Sequence, residues 1–388
     1  DIKANYRNYT YANNTGVITF PGYARFDAVW EPDSISNTPQ SFKKETSGVD
    51  VSLDLHKMTK VLFKNTKLNL AYTSDKMNRS EREVNSSEDN RYKASIDTRP
   101  LSWLSLKTAY ERSVRAGNYD YTVPFAHDIA AGNKPHQLPF LRKYDEADRA
   151  RDRVNVVATL TPMESLIMTG AYTSGTDSFT GSSFGLLNDK HDIYSFAADF
   201  ELNERAAFHA FLDKEQFINA QKARQWTPAG IGDPFGSEPG MDSNSNWTAQ
   251  NKDNTMTYGM GTQLALVPDR LKLAVDYANS YNDGNIAFDS PTGTAGNDLN
   301  PLSYVPFTQA DDSTLENINA KLIYDIKRDI ALTLGYVWEK FNYSDYNQLG
   351  FSNIPTTATG AYNSALLMGF LPQSYETRTG YVKVSCKF

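Results

Sequence analysis

Residues that could carry metal, haem or nucleophilic chemistry are few and scattered in this sequence. The five histidines show no spacing that would place two of them on one metal ion: His56, His127, His136, His191 and His209. The only cysteine, Cys386, excludes an internal disulfide, a thiolate metal cluster and haem attachment through Cys-x-x-Cys-His. The motifs of zinc proteases, phosphate loops, dinucleotide folds and serine hydrolases are absent. We therefore predict that the chain is not an enzyme and binds no cofactor of its own.

Two polar segments could be taken for ion-binding or catalytic sites. Residues 242–246 read Asp-Ser-Asn-Ser-Asn and are similar to a calcium loop, but they lack its central glycine and its closing glutamate. Bound calcium has no other support, and we favour a polar surface loop. The arginines and aspartates from Arg149 to Arg153 are more typical of a solvated strand entrance than of a catalytic site. Cys386 is interpreted as an apolar filler on an outward face.

The overall charge and hydropathy exclude several classes of protein. The formal net charge is −7 and the isoelectric point is near 5.4, which argues against nucleic acid as a partner. Mean hydropathy is −0.54, and no apolar run approaches the ~20 residues of a membrane helix. A membrane β-barrel is compatible with these values, because its apolar residues alternate with polar ones. No signal peptide is present, so we expect the chain to begin at a processing site or inside a longer protein.

A repeated unit organises the chain: a short turn with proline or charges, then a strand with apolar residues at every second position. After the turn at residues 161–164, the apolar series is Leu166, Met168, Gly170 and Tyr172. Four further turns, at residues 99–103, 202–205, 267–270 and 326–329, precede the same pattern. Period-two alternation places such residues on one face of a strand. Each turn therefore joins the two strands of a hairpin.

Long polar connections separate the hairpins, near residues 12–45, 114–149, 218–253, 282–312 and 343–373. Alternation of short turns with long loops is typical of outer-membrane barrels. A soluble β-sandwich or propeller would share the period of two but not the aromatic residues at the strand ends. We predict one all-β domain over residues 1–388, a transmembrane antiparallel up-and-down β-barrel of about 14 strands. Those strands lie near 2–11, 46–56, 65–75, 89–98, 104–113, 150–160, 165–174, 191–200, 206–216, 255–266, 270–281, 314–325, 329–341 and 375–388.

The alternation also assigns a lumen face. If the apolar face contacts lipid, the opposite face holds polar residues that line the lumen and contact any partner inside it. They are Lys107, Arg153, Asn155, His209, Asp213, Lys272, Asp276, Asn319, Lys321 and Glu339. The last strand ends at Phe388, which is the type of terminal aromatic that bacterial barrel assembly reads as an outer-membrane signal. An even strand count places both ends on the periplasmic side.

Several segments resemble the MtrB/PioB family of outer-membrane barrels. The longest is Leu-Arg-Lys-Tyr-Asp-Glu-Ala-Asp-Arg-Ala-Arg-Asp-Arg at residues 141–153, followed by Thr161-Pro162. Further similar segments lie at residues 6–9, 80–84, 184–187, 194–195 and 211–216. Their order and spacing carry the resemblance, which extends along essentially the whole chain.

The resemblance implies a non-catalytic sheath around a periplasmic multihaem c-type cytochrome, often docked to an extracellular multihaem cytochrome. Haem c would belong to the partner, and electrons would pass through it between the periplasm and extracellular donors or acceptors. Family barrels have about two dozen strands, so residues 1–388 would be either the C-terminal part of a longer barrel or a complete smaller relative. Outer-membrane lipid and lipopolysaccharide would surround it. The alternative is a general diffusion porin or small-solute transporter.

Overall fold

A computed structural model describes residues 1–21, 23–24, 30–31, 35–55, 65–80, 82, 84–118, 141–180, 184–224, 246–289, 311–345 and 374–386. Fourteen long strands form its main sheet and are numbered here in chain order. They are β1 (Ile2–Tyr11), β2 (Phe42–Asp54), β3 (Thr66–Arg79), β4 (Ser86–Leu101), β5 (Leu104–Gly117), β6 (Arg149–Met163), β7 (Leu166–Phe179), β8 (Phe184–Asn203), β9 (Ala206–Arg224), β10 (Asn246–Val267), β11 (Leu271–Asp289), β12 (Asp311–Lys327), β13 (Ile330–Asp345) and β14 (Tyr375–Cys386).

The sheet has up-and-down topology. Each long strand pairs antiparallel with the next one in the chain, and the order runs from β1 to β14 without a crossover. Within the described residues, β1 and β14 are the two ends of this order and do not pair with each other. Short turns close the hairpins at residues 102–103, 164–165, 204–205, 268–270 and 328–329. The prediction of about 14 antiparallel strands is thus confirmed.

The predicted loop boundaries were less accurate than the strand count. β9 continues to Arg224 and β10 begins at Asn246, so much of the predicted loop at 218–253 is strand. β11 likewise extends to Asp289, inside the predicted loop at 282–312. In these extensions both faces carry polar residues, so the alternation disappears while the backbone hydrogen bonds continue. The predicted loop at 343–373 lies largely outside the described residues.

Two other predicted loops contain short strands. In the connection after β1, Ile18–Phe20 pairs with Ile35–Asn37, and Tyr23–Ala24 pairs with Trp30–Glu31. In the connection between β5 and β6, Leu141–Arg142 runs parallel to the first residues of β8. β2 and β5 also extend into these two predicted loops, to Phe42 and Gly117 respectively. Segments of two or three residues are too short to show a periodic pattern from which a strand could be predicted.

The two faces of the sheet differ in composition. One, the apolar face, carries large side chains that stay exposed, such as Met260 at 61%, Val382 at 68% and Tyr194 at 54%. Among the described residues only four hydrophobic side chains are buried: Val84, Ala147, Phe184 and Ala249. A sandwich or propeller would instead pack its apolar faces into a core. The described strands therefore need an external apolar medium. No helix in the described residues is long and apolar enough to cross a membrane.

The short turns do not lie at one level of the strand register. The row of paired residues through Leu104, at the turn end of β5, reaches Trp338 on β13. Trp338 is eight residues from Ile330, the turn end of β13. Over these eight strand steps the turns therefore descend by about one residue per strand. With about 3.3 Å per residue and 4.8 Å between strands, that slope corresponds to a strand tilt of about 35°, as in outer-membrane barrels.

The opposite border of the apolar face slopes in the same direction. The row through Tyr110 on β5 meets Asp192 on β8 and Ser344 on β13. A band of nearly constant height thus crosses the sheet obliquely. On β13 it runs from Ile330 to Trp338, which at this tilt is about 22 Å measured across the band, close to the apolar height of a membrane barrel.

Candidate functional site

The polar face of the sheet is the candidate functional surface. All ten residues predicted to line a lumen share this face in the strand register. One row joins Lys107 on β5 to Asp213 on β9 through three intervening strands. Another row contains His209, Gly261, Asp276 and Asn319. The face assignment made from the sequence therefore agrees with the register, while any contact of these residues with a partner stays a prediction.

The polar ends of β3 to β7 carry a network of ion pairs, which we call the charged wall. It consists of Asp75, Asp89, Arg91, Glu111, Arg149, Arg151 and Asp177. Arg149 donates to Asp89 at 2.8 Å and lies 3.7 Å from Asp177. Arg151 donates through Nε to Asp177 at 2.6 Å, and the Arg91 guanidinium lies 3.4 Å from Glu111. These charges neutralise one another within the wall.

The charged wall corrects one interpretation made from the sequence. A solvated strand entrance was expected at Arg149 to Arg153, but the Arg149 side chain is 11% exposed and that of Arg151 is 21% exposed. Ser113, buried and paired with Arg151 in the register, donates to Asp89 at 2.5 Å. Arginines at these positions are held by carboxylates on neighbouring strands, a contact that no local pattern reveals.

A short segment closes over the same end of the sheet. Residues 143–148 form a turn, which we call the latch, and Arg115 on β5 donates to the carbonyls of Tyr144 at 2.6 Å and Ala147 at 2.9 Å. Glu146 is 1% exposed and forms an ion pair with Arg82 in the connection between β3 and β4. Arg115 belongs to the same register row as Arg149. The latch therefore lies on the polar face, at the mouth of any lumen.

The polar face of β9 to β13 is built differently. Small residues lie side by side there, and we call this region the smooth wall: Gly259, Gly261, Ala274, Ala278 and Gly335. Larger neighbours lie flat across the glycines. A Cβ at Gly259 would be 2.5 Å from the Phe211 ring, and a Cβ at Gly335 would collide with the Tyr381 ring. The smooth wall lies level with the apolar band, behind residues such as Tyr258 and Leu264.

The predicted lumen residues form few direct contacts with one another. His209 Nε2 lies 3.3 Å from a carboxylate oxygen of Asp276, and Asn155 donates to Thr173 at 2.8 Å. Glu339 accepts hydrogen bonds from Asn317 at 3.3 Å and from Tyr375 at 2.7 Å. The other predicted residues stay apart along the face. Sequence reasoning missed the charged wall and the meaning of the glycines, although Gly259 and Gly261 recur at period two.

Metal and catalytic chemistry find little support in these residues. Among the described residues, no group of three or more His, Cys, Asp or Glu side chains could hold a metal ion. His191 contacts Glu215 at 2.5 Å on the polar face. The residues paired with them are Phe217 and Ile193, neither of which can act as a nucleophile. Cys386 is exposed and pairs with Ile330 on the apolar face. Phe388, the predicted assembly signal, and residues 242–245 lie outside the described residues.

Comparison with known proteins places these features in a family. The family model for outer-membrane β-barrel porins, MtrB/PioB, matches residues 1–388. No curated protein matches the chain.

Solved structures of outer-membrane proteins match the chain at low identity. One is the open form of the ferric-catecholate import receptor Fiu from E. coli K12, at 12% identity and a TM-score of 0.46; the match covers 84% of this chain and 61% of that one. The Pseudomonas putida toluene transporter TodX gives 8% identity and a TM-score of 0.25, covering 88% and 85%. The chain thus spans 61% of the length of Fiu. At these values neither likeness indicates what the chain binds.

Proposed function

Because the chain belongs to the MtrB/PioB family of outer-membrane β-barrel porins, we propose that it sheathes a multihaem c-type cytochrome within the outer membrane. The cytochrome enters from the periplasm and carries the electrons, and this chain supplies position and insulation from lipid. The short turns then face the periplasm and the long connections face outward, where an extracellular multihaem cytochrome docks. All haem belongs to the partners, since this chain offers no Cys-x-x-Cys-His motif.

The smooth wall is the observation that carries this proposal. A water-filled pore gives no reason for small residues to cluster at one level of the face on β10, β11 and β13. A protein guest does benefit, because the rings of Phe211 and Tyr381 lie over the glycines and leave a level surface against which the guest can pack. Such packing would occur at the level of the apolar band, where Gly261 and Ala274 lie behind lipid-facing side chains. Packing there would exclude water from the gap between the two proteins.

Electrostatics on the polar face supports the same function. A soluble cytochrome has a hydrated, polar surface, so its sheath must offer polar groups without a strong net field that would favour small ions. In the charged wall, each described arginine has a carboxylate partner on a neighbouring strand. Half-buried hydroxyl groups line other rows of this face, as in the pair Thr257 and Ser280 at 2.9 Å. Such a lining can hydrogen-bond to a guest of either charge.

A diffusion porin is the second candidate, because the polar face also carries exposed charges. Lys272 and Asp325 lie 3.8 Å apart with side chains 57% and 32% exposed, and such a pair would orient a polar solute in an aqueous passage. In that case the smooth wall would contact only water.

The experiment is a mild detergent extraction of the native outer membrane, followed by purification and a visible spectrum. A Soret band from a separate haem-staining polypeptide is expected. Replacing Ala274 and Ala278 together by Trp should lower the ratio of Soret absorbance to barrel several-fold. The matched variant Ala198→Trp, on the apolar face, should leave that ratio unchanged. A colourless preparation that conducts ions in planar bilayers would overturn the cytochrome proposal in favour of the porin.

A further inference from the structure

A groove on the apolar face of β2 to β5 has the form of a lipid-binding site. It has a volume of about 400 Å³, and its side-chain walls are Val49, Val51, Leu70, Tyr72, Tyr92, Ala94 and Tyr110. The groove forms because Ala94 lies between Leu70 and Tyr110 in the register, so a small side chain is surrounded by large ones. The groove is apolar, open on the outer side of the sheet and extends across β2 to β5, a form suited to an acyl chain.

The tyrosines of the groove are fixed with their hydroxyls towards its polar end. Tyr72 donates to Asn90 at 2.7 Å, and Tyr110 donates to Asp152 at 2.6 Å. The Tyr72 and Tyr92 rings have centroids 5.1 Å apart. These contacts restrain the side chains before a ligand arrives, so little entropy is lost on binding. The groove therefore ends where the bilayer's apolar layer meets its headgroups.

Two cations flank that polar end. Arg112 on β5 is the register neighbour of Tyr92, and Lys76 on β3 lies four residues beyond Tyr72 on the same face. Their side chains are 52% and 59% exposed. Each has a carboxylate neighbour, Asp152 at 3.1 Å from Arg112 and Glu88 at 3.9 Å from Lys76. Exposed pairs of this kind are weak because water screens them, so a phosphate can compete for both cations.

We propose that this groove binds one lipopolysaccharide molecule of the outer leaflet, with an acyl chain over Ala94 and phosphates at Arg112 and Lys76. The choice of this lipid rests on the orientation in the proposed function, which places the polar ends of β3 to β5 outside the cell. A cationic pair above an apolar groove matches a lipid that carries several acyl chains and more than one phosphate. The site is separate from the lumen, since its side chains occupy the other face of the sheet.

The test is native mass spectrometry of the full chain extracted in mild detergent, with lipid A and phosphatidylethanolamine offered in competition. One lipid A per chain is expected on the unaltered protein. Ala94→Trp fills the groove and should weaken retention about tenfold, the effect of about 1.4 kcal/mol of lost binding. Arg112→Gln should reduce the preference for lipid A over phosphatidylethanolamine. Ala320→Trp, on the apolar face of β12, is the matched control and should retain lipid normally.

Three results would overturn the proposal: equal retention by Ala94→Trp and the unaltered chain, absence of retained lipid, or binding of phosphatidylethanolamine as strong as that of lipid A. Heat-dependent migration in gels verifies that each variant is folded. Haem copurification is measured on the same samples. Because haem reports on the lumen and lipid on the outer surface, the two proposals can fail independently.

Discussion

The charged wall and the smooth wall share one face of one sheet, yet they are stabilised in opposite ways. The charged wall lies beyond the apolar band, and its half-buried arginines are held by carboxylates across strands, as in Arg149 with Asp89 at 2.8 Å. The smooth wall lies within the band and depends on the absence of side chains at Gly259, Gly261 and Gly335. The first wall is held rigid by its paired charges, and the second presents a level surface to a guest because larger side chains lie over its glycines.

The difference indicates that the two walls serve different purposes at different heights of the sheet. Outside the bilayer, water would weaken each single ion pair, so stability requires a connected network with the latch packed over it. Inside the band, lipid already holds the strands in place, and the polar face is free to be shaped for what it encloses. The four predictions below test this contrast, beginning with the largest expected effect.

Placing a charge on the apolar face should have the largest effect on assembly into the membrane. Leu273 lies on the apolar face of β11, directly behind the smooth wall. Leu273→Arg places a charge in the band and should cost about 2–4 kcal/mol, which would block assembly into the outer membrane. Lys321→Ala, on the polar face between Ala274 and Gly335, should change stability by less than about 0.5 kcal/mol. Outer-membrane abundance measures both effects, and equal abundance of the two variants would contradict the assignment of the apolar face to lipid.

Removing a carboxylate from the charged wall should have the next largest effect. Asp177→Ala leaves Arg149 and Arg151 half-buried without that partner. Breaking a buried pair costs about 3–5 kcal/mol, and partial exposure reduces this to about 2–3 kcal/mol. The measurement is the urea midpoint of unfolding in detergent. Asp152→Ala, which removes the exposed partner of Arg112, is the control and should cost less than about 1 kcal/mol.

Filling the smooth wall should cost somewhat less. Gly335→Val places a side chain where the Tyr381 ring lies, and overpacking of this kind costs about 1–3 kcal/mol. Adding Tyr381→Ala should restore part of the loss, which identifies the collision as its cause. Gly170→Val serves as the control, because a Cβ at Gly170 meets nothing within 4 Å. If the double variant were no more stable than Gly335→Val, the flat packing of Tyr381 would not be the reason for the glycine.

Loosening the latch should have the smallest effect. Glu146→Gln removes the charge that pairs with Arg82. It should lower the free energy of local opening of the latch by about 1–2 kcal/mol, which raises the open population about 5–30-fold. Trypsin cleavage after Arg142 or Lys143 should accelerate accordingly, with global unfolding unchanged. Glu164→Gln, in an exposed turn, should leave the cleavage rate as it is. Unaltered cleavage in Glu146→Gln would show that the latch is held by Arg115 instead.

Much of the fold was predictable from the sequence because lipid imposes a strict period of two. The series Leu166, Met168, Gly170 and Tyr172 identified a strand, its face and its turn without any knowledge of its neighbours. The polar extensions were missed at Arg224 and Asn246, where no medium enforces alternation and only hydrogen bonding to the next strand extends the ladder. The same holds for the candidate site: the face on which its residues lie was predicted from the sequence, but the contacts between them were not.

The sequence by itself determined the strand count, the two faces and the resemblance to a family, because each depends on residues close together in the chain. Only the tertiary structure decided the strand tilt, the partners of Arg149 and Arg151, the burial of Glu146 and the flat packing of Phe211 over Gly259. Those features depend on which residue of one strand lies opposite which residue of the next. Register is set by the whole sheet at once, and no single segment encodes it.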